Sequence, residues 1–146
     1  MIRKIEEKDK QVYISMAKEF YSSPAVSHNI PQSYIEKTFE ELKKSDTYAE
    51  CYIFEADKKI VGYCLLAKTF SQEAGGNVVW IEEILIKKEY RGQGMGRKFF
   101  KFLEEKYDAK RLRLEVEKDN QRAIKLYEEL GFEELPYLQF IKERQA

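Results

Sequence analysis

The run Tyr90-Arg91-Gly92-Gln93-Gly94-Met95-Gly96-Arg97 has the residue types and spacing to hold a ligand. Three alternating glycines let successive backbone N–H groups turn toward one guest without Cβ interference. Met95, Phe99, Leu103 and Tyr107 then recur every four residues, one stripe of an amphipathic helix. The run therefore opens a helix, where the first N–H groups have no internal partner and carry the positive end of the dipole. The chemistry this predicts is anion binding, with a phosphate or pyrophosphate as guest. Spacing excludes two phosphate loops. No Gly-x-x-x-x-Gly-Lys-[Ser/Thr] is present, and in Gly-x-Gly-x-x-Gly the third glycine would have to fall one residue later. What remains is Arg-x-x-Gly-x-Gly, with Arg91, Gly94 and Gly96 at its fixed positions.

Upstream, Val78 to Ile86 reads as an apolar strand interrupted by Glu82 and Glu83. Acids inside such a strand are costly unless they work or are paired. Burial would raise a carboxylate's pKa toward the range useful for accepting a proton. Strict alternation puts Trp80, Glu82, Ile84 and Ile86 on one face and Ile81, Glu83 and Leu85 on the other.

A second motif lies downstream at Asn120-Gln121-Arg122-Ala123-Ile124-Lys125-Leu126-Tyr127-Glu128-Glu129-Leu130-Gly131-Phe132. The glycine run resembles the coenzyme A pyrophosphate loop of the GNAT family of N-acetyltransferases. The second motif resembles that family's Asn-x-x-Ala-x-x-Leu-Tyr-x-x-x-Gly-Phe signature at every fixed position. Together they cover the C-terminal half of the chain; the N-terminal half matches only in its layout of elements. The resemblance implies acetyl-CoA as cofactor, held by Arg91, Gly92, Gln93, Gly94, Met95, Gly96 and Arg97. It places the pantetheine arm along Ile84, Leu85 and Ile86, with Asn120 and Ala123 also on the cofactor. It implies Tyr127 as the general acid and Glu82 as the base, with Glu83 second. Tyr127 suits the role because a phenol is protonated at neutral pH. The competing readings are a core tyrosine at 127 and a helix N-cap at Asn120.

The acceptor site is expected from the first two helices, their loop and the Ser71-Gln72-Glu73 turn. It gathers Phe20, Tyr21, His28, Tyr34, Glu73 and Trp80 with the glutamate pair, and His28 reads as a plain loop residue. Acids among aromatics suit a cationic amine. The expected acceptor is a small primary amine such as a polyamine or amino-sugar, ahead of a peptide amine. Two other classes stay open: a coenzyme A-binding regulatory domain without catalysis, and a nucleotide-binding phosphate loop.

These residues need a scaffold. A chain of 146 residues suits one domain spanning its length, and its 43% hydrophobic content excludes a disordered polymer. Lys+Arg and Asp+Glu both number 26, so no net field recruits nucleic acid or an anionic membrane. The N-terminal residues alternate charge instead of forming a signal peptide, and no apolar run approaches the ~20 residues that span a bilayer. Cys51 and Cys64 are expected as buried thiols in a cytoplasmic protein. The elements read as a short strand from Ile2, a helix over Asp9 to Ser22, and a helix after Pro31. A hairpin of Tyr48–Ala56 and Ile60–Thr69 comes next, then the Val78 strand and the helix from Met95. A strand over Arg111 to Glu117, a helix over Gln121 to Leu130 and a last strand over Leu138 to Ile141 complete the order. That order, β-α-α-β-β-β-α-β-α-β, agrees with the family's α/β (α+β) fold, a mixed, mostly antiparallel central sheet flanked by helices. Hydrophobic residues on the last strands could build a homodimer interface.

Overall fold

The computed structural model describes residues 1–144, and its sheet is built from the stretches that alternate or run apolar. Strands β1 (Ile2–Lys4), β2 (Ala49–Ala56), β3 (Lys59–Ser71), β4 (Gly76–Ile86) and β5 (Arg111–Leu114) lie side by side in that order. The first four are antiparallel neighbours, and β5 joins β4 in parallel. The near-continuous apolar run of β3 is covered on both faces, as expected of a central strand. Helices α1 (Lys10–Tyr21) and α2 (Gln32–Lys44) cover one face through Tyr13, Met16, Phe20, Ile35, Phe39 and Leu42. Helices α3 (Met95–Lys106) and α4 (Gln121–Glu129) cover the other, where Phe99, Phe100 and Leu103 meet Phe54, Leu66 and Ile81. Both cysteines are free and buried. Among the described residues no helix is long and apolar enough to cross a membrane.

One irregularity in β4 decides how its residues are distributed between the two faces. Leu65 pairs with Glu83 and Leu66 with Ile81, so Glu82 is an extra residue, a β-bulge. The bulge shifts the pleat by one. Ile81 packs with Ile84 and Ile86 on the α3/α4 face, whereas Leu85 packs on the α1/α2 face. The strict alternation expected from the sequence therefore breaks at Glu82. The bulge also ends the ladder with β5, whose last pair is Ile81 with Leu114. The strand expected to reach Glu117 stops at Leu114, because beyond it β4 offers no partner. Past this point β4 and β5 separate.

Another difference from the expected order lies at the C-terminus. Leu138 to Ile141 form no strand. A strand needs a neighbour to satisfy its backbone, and the tail makes no backbone hydrogen bond to any other element among the described residues. The observed order is thus β-α-α-β-β-β-α-β-α.

Gly62 sets how closely β3 approaches the far end of β4. A Cβ built there would lie 2.2 Å from the carbonyl oxygen of Leu85 and 3.2 Å from Cα of Ile86. Both contacts are backbone and cannot swing aside. Gly62→Ala should therefore destabilise the fold by about 1–3 kcal/mol, as overpacking does. Thermal unfolding checks this, and an unchanged melting temperature would show that the strands have slack here.

Candidate active site

The glycine run folds into a loop between a single 3-10 turn at Lys88–Tyr90 and α3. Arg91 Nε donates to the carbonyl of Ile86 at 2.8 Å, tying the loop to the end of β4. Gln93 turns back on the carbonyl of Glu89 at 3.4 Å. Gly92 and Gly94 sit at φ of 77° and 79°, the left-handed region that favours glycine. The first helical bond runs from Lys98 N–H to the Gly94 carbonyl at 3.1 Å. Consequently the consecutive N–H groups from Gly92 to Arg97 have no acceptor among the described residues. They form a concave array of donors at a helix N-terminus.

This array opens onto a cleft of roughly 550 Å³ where β4 and β5 separate. One wall is Glu82 and Ile84 to Ile86, which lie beyond the last β5 pair; there Arg91 donates to the Ile86 carbonyl, and no β5 residue pairs with this stretch. The opposite wall is Leu114 to Val116, with Asn120, Ala123, Leu126 and Tyr127 of α4 behind it. Phe20 and the loop residues Ser23, Pro24 and Ala25 close one end. A pyrophosphate fits the donor array, and an extended amide chain fits the free edge of β4 as an added strand would. Acetyl-CoA has both parts, so the residues present fit it.

Tyr127 stands on the apolar side of α4, its ring edge-on to Phe100 and to Phe132 at 5.9 Å each. Among the described residues its hydroxyl has no hydrogen-bond partner, yet no buried side-chain oxygen or nitrogen is left unsatisfied. The hydroxyl therefore reaches the open cleft. Burial of the ring, and then the nearby Cys64 thiol, push its pKa up to about 12. Asn120 Oδ1 accepts from the Ala123 N–H at 3.3 Å, so it caps α4 while also lining the cleft. At the other end of α4 Gly131 takes φ of 95°, and Phe132 N–H returns to the Tyr127 carbonyl at 2.9 Å, closing the helix.

The two glutamates part company at the bulge. Glu82 projects into the cleft, and its pKa is raised by desolvation first, then by the like charges of Glu83 and Glu115. Glu83 points under α1, where it accepts from Tyr63 Oη at 2.6 Å and Tyr21 Oη at 2.5 Å. Its burial raises its pKa more than the two phenols lower it. Both Glu83 oxygens are thus engaged, and among the described residues none donates to Glu82.

Of the residues expected around the acceptor, the structure brings only Phe20 and Glu82 into the cleft lining. Tyr21 lies beneath it, bonded to Glu83. His28 is exposed on the α1–α2 loop beside Ser27. Tyr34 is exposed on α2, 5.8 Å from the Lys37 ammonium. Glu73 sits in the β3–β4 turn, paired with Arg111 at 3.0 Å. Trp80 lies under the Arg113 guanidinium at 4.1 Å. The turn and the loop stand at different ends of β4, which is why they do not converge. Sequence reading assigns no site role to Glu115 or Arg122, and it points to the glycine run that begins at Tyr90 and to the loop after the first helix without singling out Tyr90, Ser23, Pro24 or Ala25; all six line the cleft. Glu115 reads as an outward charge of a longer strand, and nothing in the sequence marks the strand's early end.

Comparison with known proteins agrees with this geometry. Residues 12–132 match the acetyltransferase (GNAT) family. The chain belongs to the GNAT family. Among its relatives, the spermine/spermidine N(1)-acetyltransferase of Bacillus subtilis (strain 168) is 32% identical over 111 residues, covering 69% of this chain and 72% of that protein. The thialysine N-epsilon-acetyltransferase of Bos taurus is 30% identical over 151 residues, covering 92% and 85%. In structure, the aminoglycoside N-acetyltransferase AAC(6')-Iy in complex with CoA superposes with a TM-score of 0.80 at 17% identity, covering 99% of this chain and 95% of that one. The GNAT chain is an acetyl-CoA-dependent N-acetyltransferase, and its mixed sheet with flanking helices is the GNAT fold.

Proposed function

We propose that this acetyltransferase modifies a small, polyamine-like cationic primary amine by direct attack, with Glu82 as base and Tyr127 as acid. The pair of carboxylates in the cleft carries the reading. Glu82 enters from the β4 bulge and Glu115 from the open end of β5, close enough for Glu115 to raise the Glu82 pKa. Both acids line the same cleft, and a cation between them would relieve the repulsion of like charges. Phe20, Pro24 and Ala25 offer apolar surface for a methylene stem. The named substrates of two relatives, spermine/spermidine and thialysine, are cationic amines of this kind.

Acetyl-CoA supplies the acetyl group in activated form. Backbone N–H groups from Gly92 to Arg97 hold its pyrophosphate, and the free edge of Ile84, Leu85 and Ile86 aligns its arm. Glu82 takes the proton that the amine nitrogen loses as it attacks. Tyr127 Oη gives its proton to the leaving sulfur. The same reading takes the enzyme to be cytoplasmic, and its balanced charge argues for no nucleic-acid or anionic-membrane partner.

Release of free thiol from acetyl-CoA across a panel of polyamines, thialysine, aminoglycosides, amino acids and peptides tests the acceptor class. The expected result is turnover highest on a linear di- or polyamine. Turnover confined to peptide α-amines would replace the proposed acceptor. The base is tested by pH. Because the Glu82 pKa is raised, the carboxylate is protonated at pH values where an ordinary glutamate is already ionised, and kcat/KM should climb as pH rises through that shifted value. Glu82→Gln should lower kcat/KM by roughly 10²-fold or more and flatten this acid limb. An acid limb that survives the substitution unchanged would assign it to another group.

A further inference from the structure

We propose that Glu83 is a positioning residue: gripped by Tyr21 and Tyr63, it pins the end of α1 to the β4 bulge and so holds Phe20 and Glu82 around the attacking amine. The buried acids of the described chain differ in what neutralises them. Asp9 pairs with Arg3 at 2.8 Å, and Glu50 pairs with Lys68 and, at 3.5 Å, with Lys4. Glu83, only 7% exposed, has no cation among the described residues, and its two oxygens accept from phenols alone. A buried carboxylate without a cation is a costly way to fill a core. Its place in β4 gives it a use.

Glu83 directly follows the bulge residue. Ile81, before the bulge, packs on the α3/α4 face, whereas Glu83 turns to the α1/α2 face and meets Tyr21 and Tyr63 there. Two residues apart on one strand, Ile81 and Glu83 would share a face but for the bulge. Holding Glu83 down therefore commits Glu82 to the turn between the faces, where it lines the cleft. Tyr63 grips from β3, its buried ring fixed edge-on by Tyr13 of α1 at 5.6 Å. Burial and then the Glu83 charge hold both phenols well above their ordinary range, so each keeps its proton and donates it to the hydrogen bond.

Tyr21 grips from the helix side. It is the last residue of α1, and its bond to Glu83 is the one hydrogen bond between α1 and β4 among the described residues. Beyond it the chain has no such anchor. Every hydrogen bond of residues 22–30 is local, and Ser23 N–H and Oγ both return to the Phe20 carbonyl, at 3.1 and 2.6 Å. Ala25, Val26 and Ile30 rest on the core through apolar contacts, which are non-directional. Phe20, edge-on to Tyr21 at 5.2 Å, lines the cleft together with Ser23 to Ala25. With the amine entering between this wall and Glu82, as the proposed function has it, one phenol orients the surface that the methylene stem meets.

Two variants of the full chain separate grip from charge. Tyr21→Phe removes the hydroxyl and keeps the ring. Glu83→Gln removes the charge but keeps an oxygen for Tyr63 and an amide that can donate to Tyr21 Oη. With spermidine as the amine, Tyr21→Phe should raise the amine KM by roughly 10-fold or more, with kcat and acetyl-CoA affinity nearly unchanged. Glu83→Gln, which can rebuild the grip, should keep the amine KM within about threefold of wild type. Amide hydrogen exchange needs no acceptor, and in Tyr21→Phe it should quicken at Phe20–Ala25 and stay as in wild type elsewhere. An unchanged amine KM in Tyr21→Phe would overturn the proposal, and so would an equal loss of acetyl-CoA affinity, which would report general damage. Glu83→Gln as impaired as Tyr21→Phe would overturn it too, because the charge and not the grip would then matter. A wild type that leaves spermidine untouched would sink the proposed acceptor instead. The exchange pattern would then decide alone, and Phe20–Ala25 amides indifferent to Tyr21→Phe would end the positioning role.

Discussion

Replacing Tyr127 with phenylalanine should lower kcat by roughly 10²- to 10⁴-fold while leaving acetyl-CoA affinity nearly intact. The separation comes from how the side chain is held. Its ring is fixed edge-on by Phe100 and Phe132, and those contacts survive in phenylalanine. Its hydroxyl has no partner among the described residues and faces the cleft, so its removal orphans nothing there. The change therefore deletes one proton and very little packing. A phenol whose pKa stands at about 12 keeps its proton throughout the working range. The departing sulfur is the conjugate base of a thiol that ordinarily titrates well below that value, so the transfer is uphill by itself and must be drawn by the charge that develops on sulfur as the C–S bond breaks. Steady-state kinetics gives kcat and isothermal titration gives the acetyl-CoA affinity. Unchanged turnover would retire Tyr127 as the acid. Loss of affinity together with turnover would make it a cofactor contact instead.

Which parts of this enzyme can be read from its sequence depends on whether a local signal suffices. The donor array is legible because glycine spacing and a helix stripe dictate it within about ten residues of chain. The termini of α4 are equally legible, since Asn120 and Gly131 do their capping through the nearest backbone. The faces of β4 are not. Alternation predicts Ile81 and Glu83 together, but one extra residue at Glu82 separates them, and a bulge is a property of two strands. That same bulge frees the edge of β4, shortens β5 and turns Glu115 into a wall of the cleft. One long-range event therefore accounts for most of what the sequence withholds. The acceptor side suffers a related failure. Tyr34, Glu73 and Trp80 are aromatic or acidic as expected of such a site, yet the chain places them away from the cleft. Residue type signals chemistry only after topology has brought the groups together. The tail fails for another reason: its strand composition is genuine, but among the described residues no strand lies beside it.

The glycine loop is where the largest loss of binding is expected. Gly94→Val should weaken acetyl-CoA binding by well over 10-fold, without unfolding the protein. Gly94 holds φ of 79° and ψ of 11°, just before α3 begins. A β-branched residue is a genuine outlier there, and such strain costs of order 1–3 kcal/mol. A Cβ at this position meets nothing within 4 Å, so no clash with the protein adds to that cost. An exposed loop can escape the strain by turning out of the left-handed region, and the fold then loses little. The N–H groups from Gly92 to Arg97 would no longer converge, however. To bind, the variant must re-impose the strain, which alone corresponds to roughly 10- to 100-fold in affinity. The valine methyls, placed over the donors, exclude the pyrophosphate further. Gly75 provides the control. It holds φ of 82° in the β3–β4 turn, also with open space around it, and it lies outside the cleft lining. Gly75→Val should bring a similar backbone penalty and leave acetyl-CoA affinity unchanged. Thermal unfolding of both variants and titration with acetyl-CoA separate strain from recognition. If Gly94→Val folds and binds as the wild type does, the pyrophosphate is held elsewhere. If both variants lose affinity alike, the loss reports general destabilisation and the loop has no special claim. A loss at Gly94 alone would leave the converging donors of one short loop as the anchor of the cofactor.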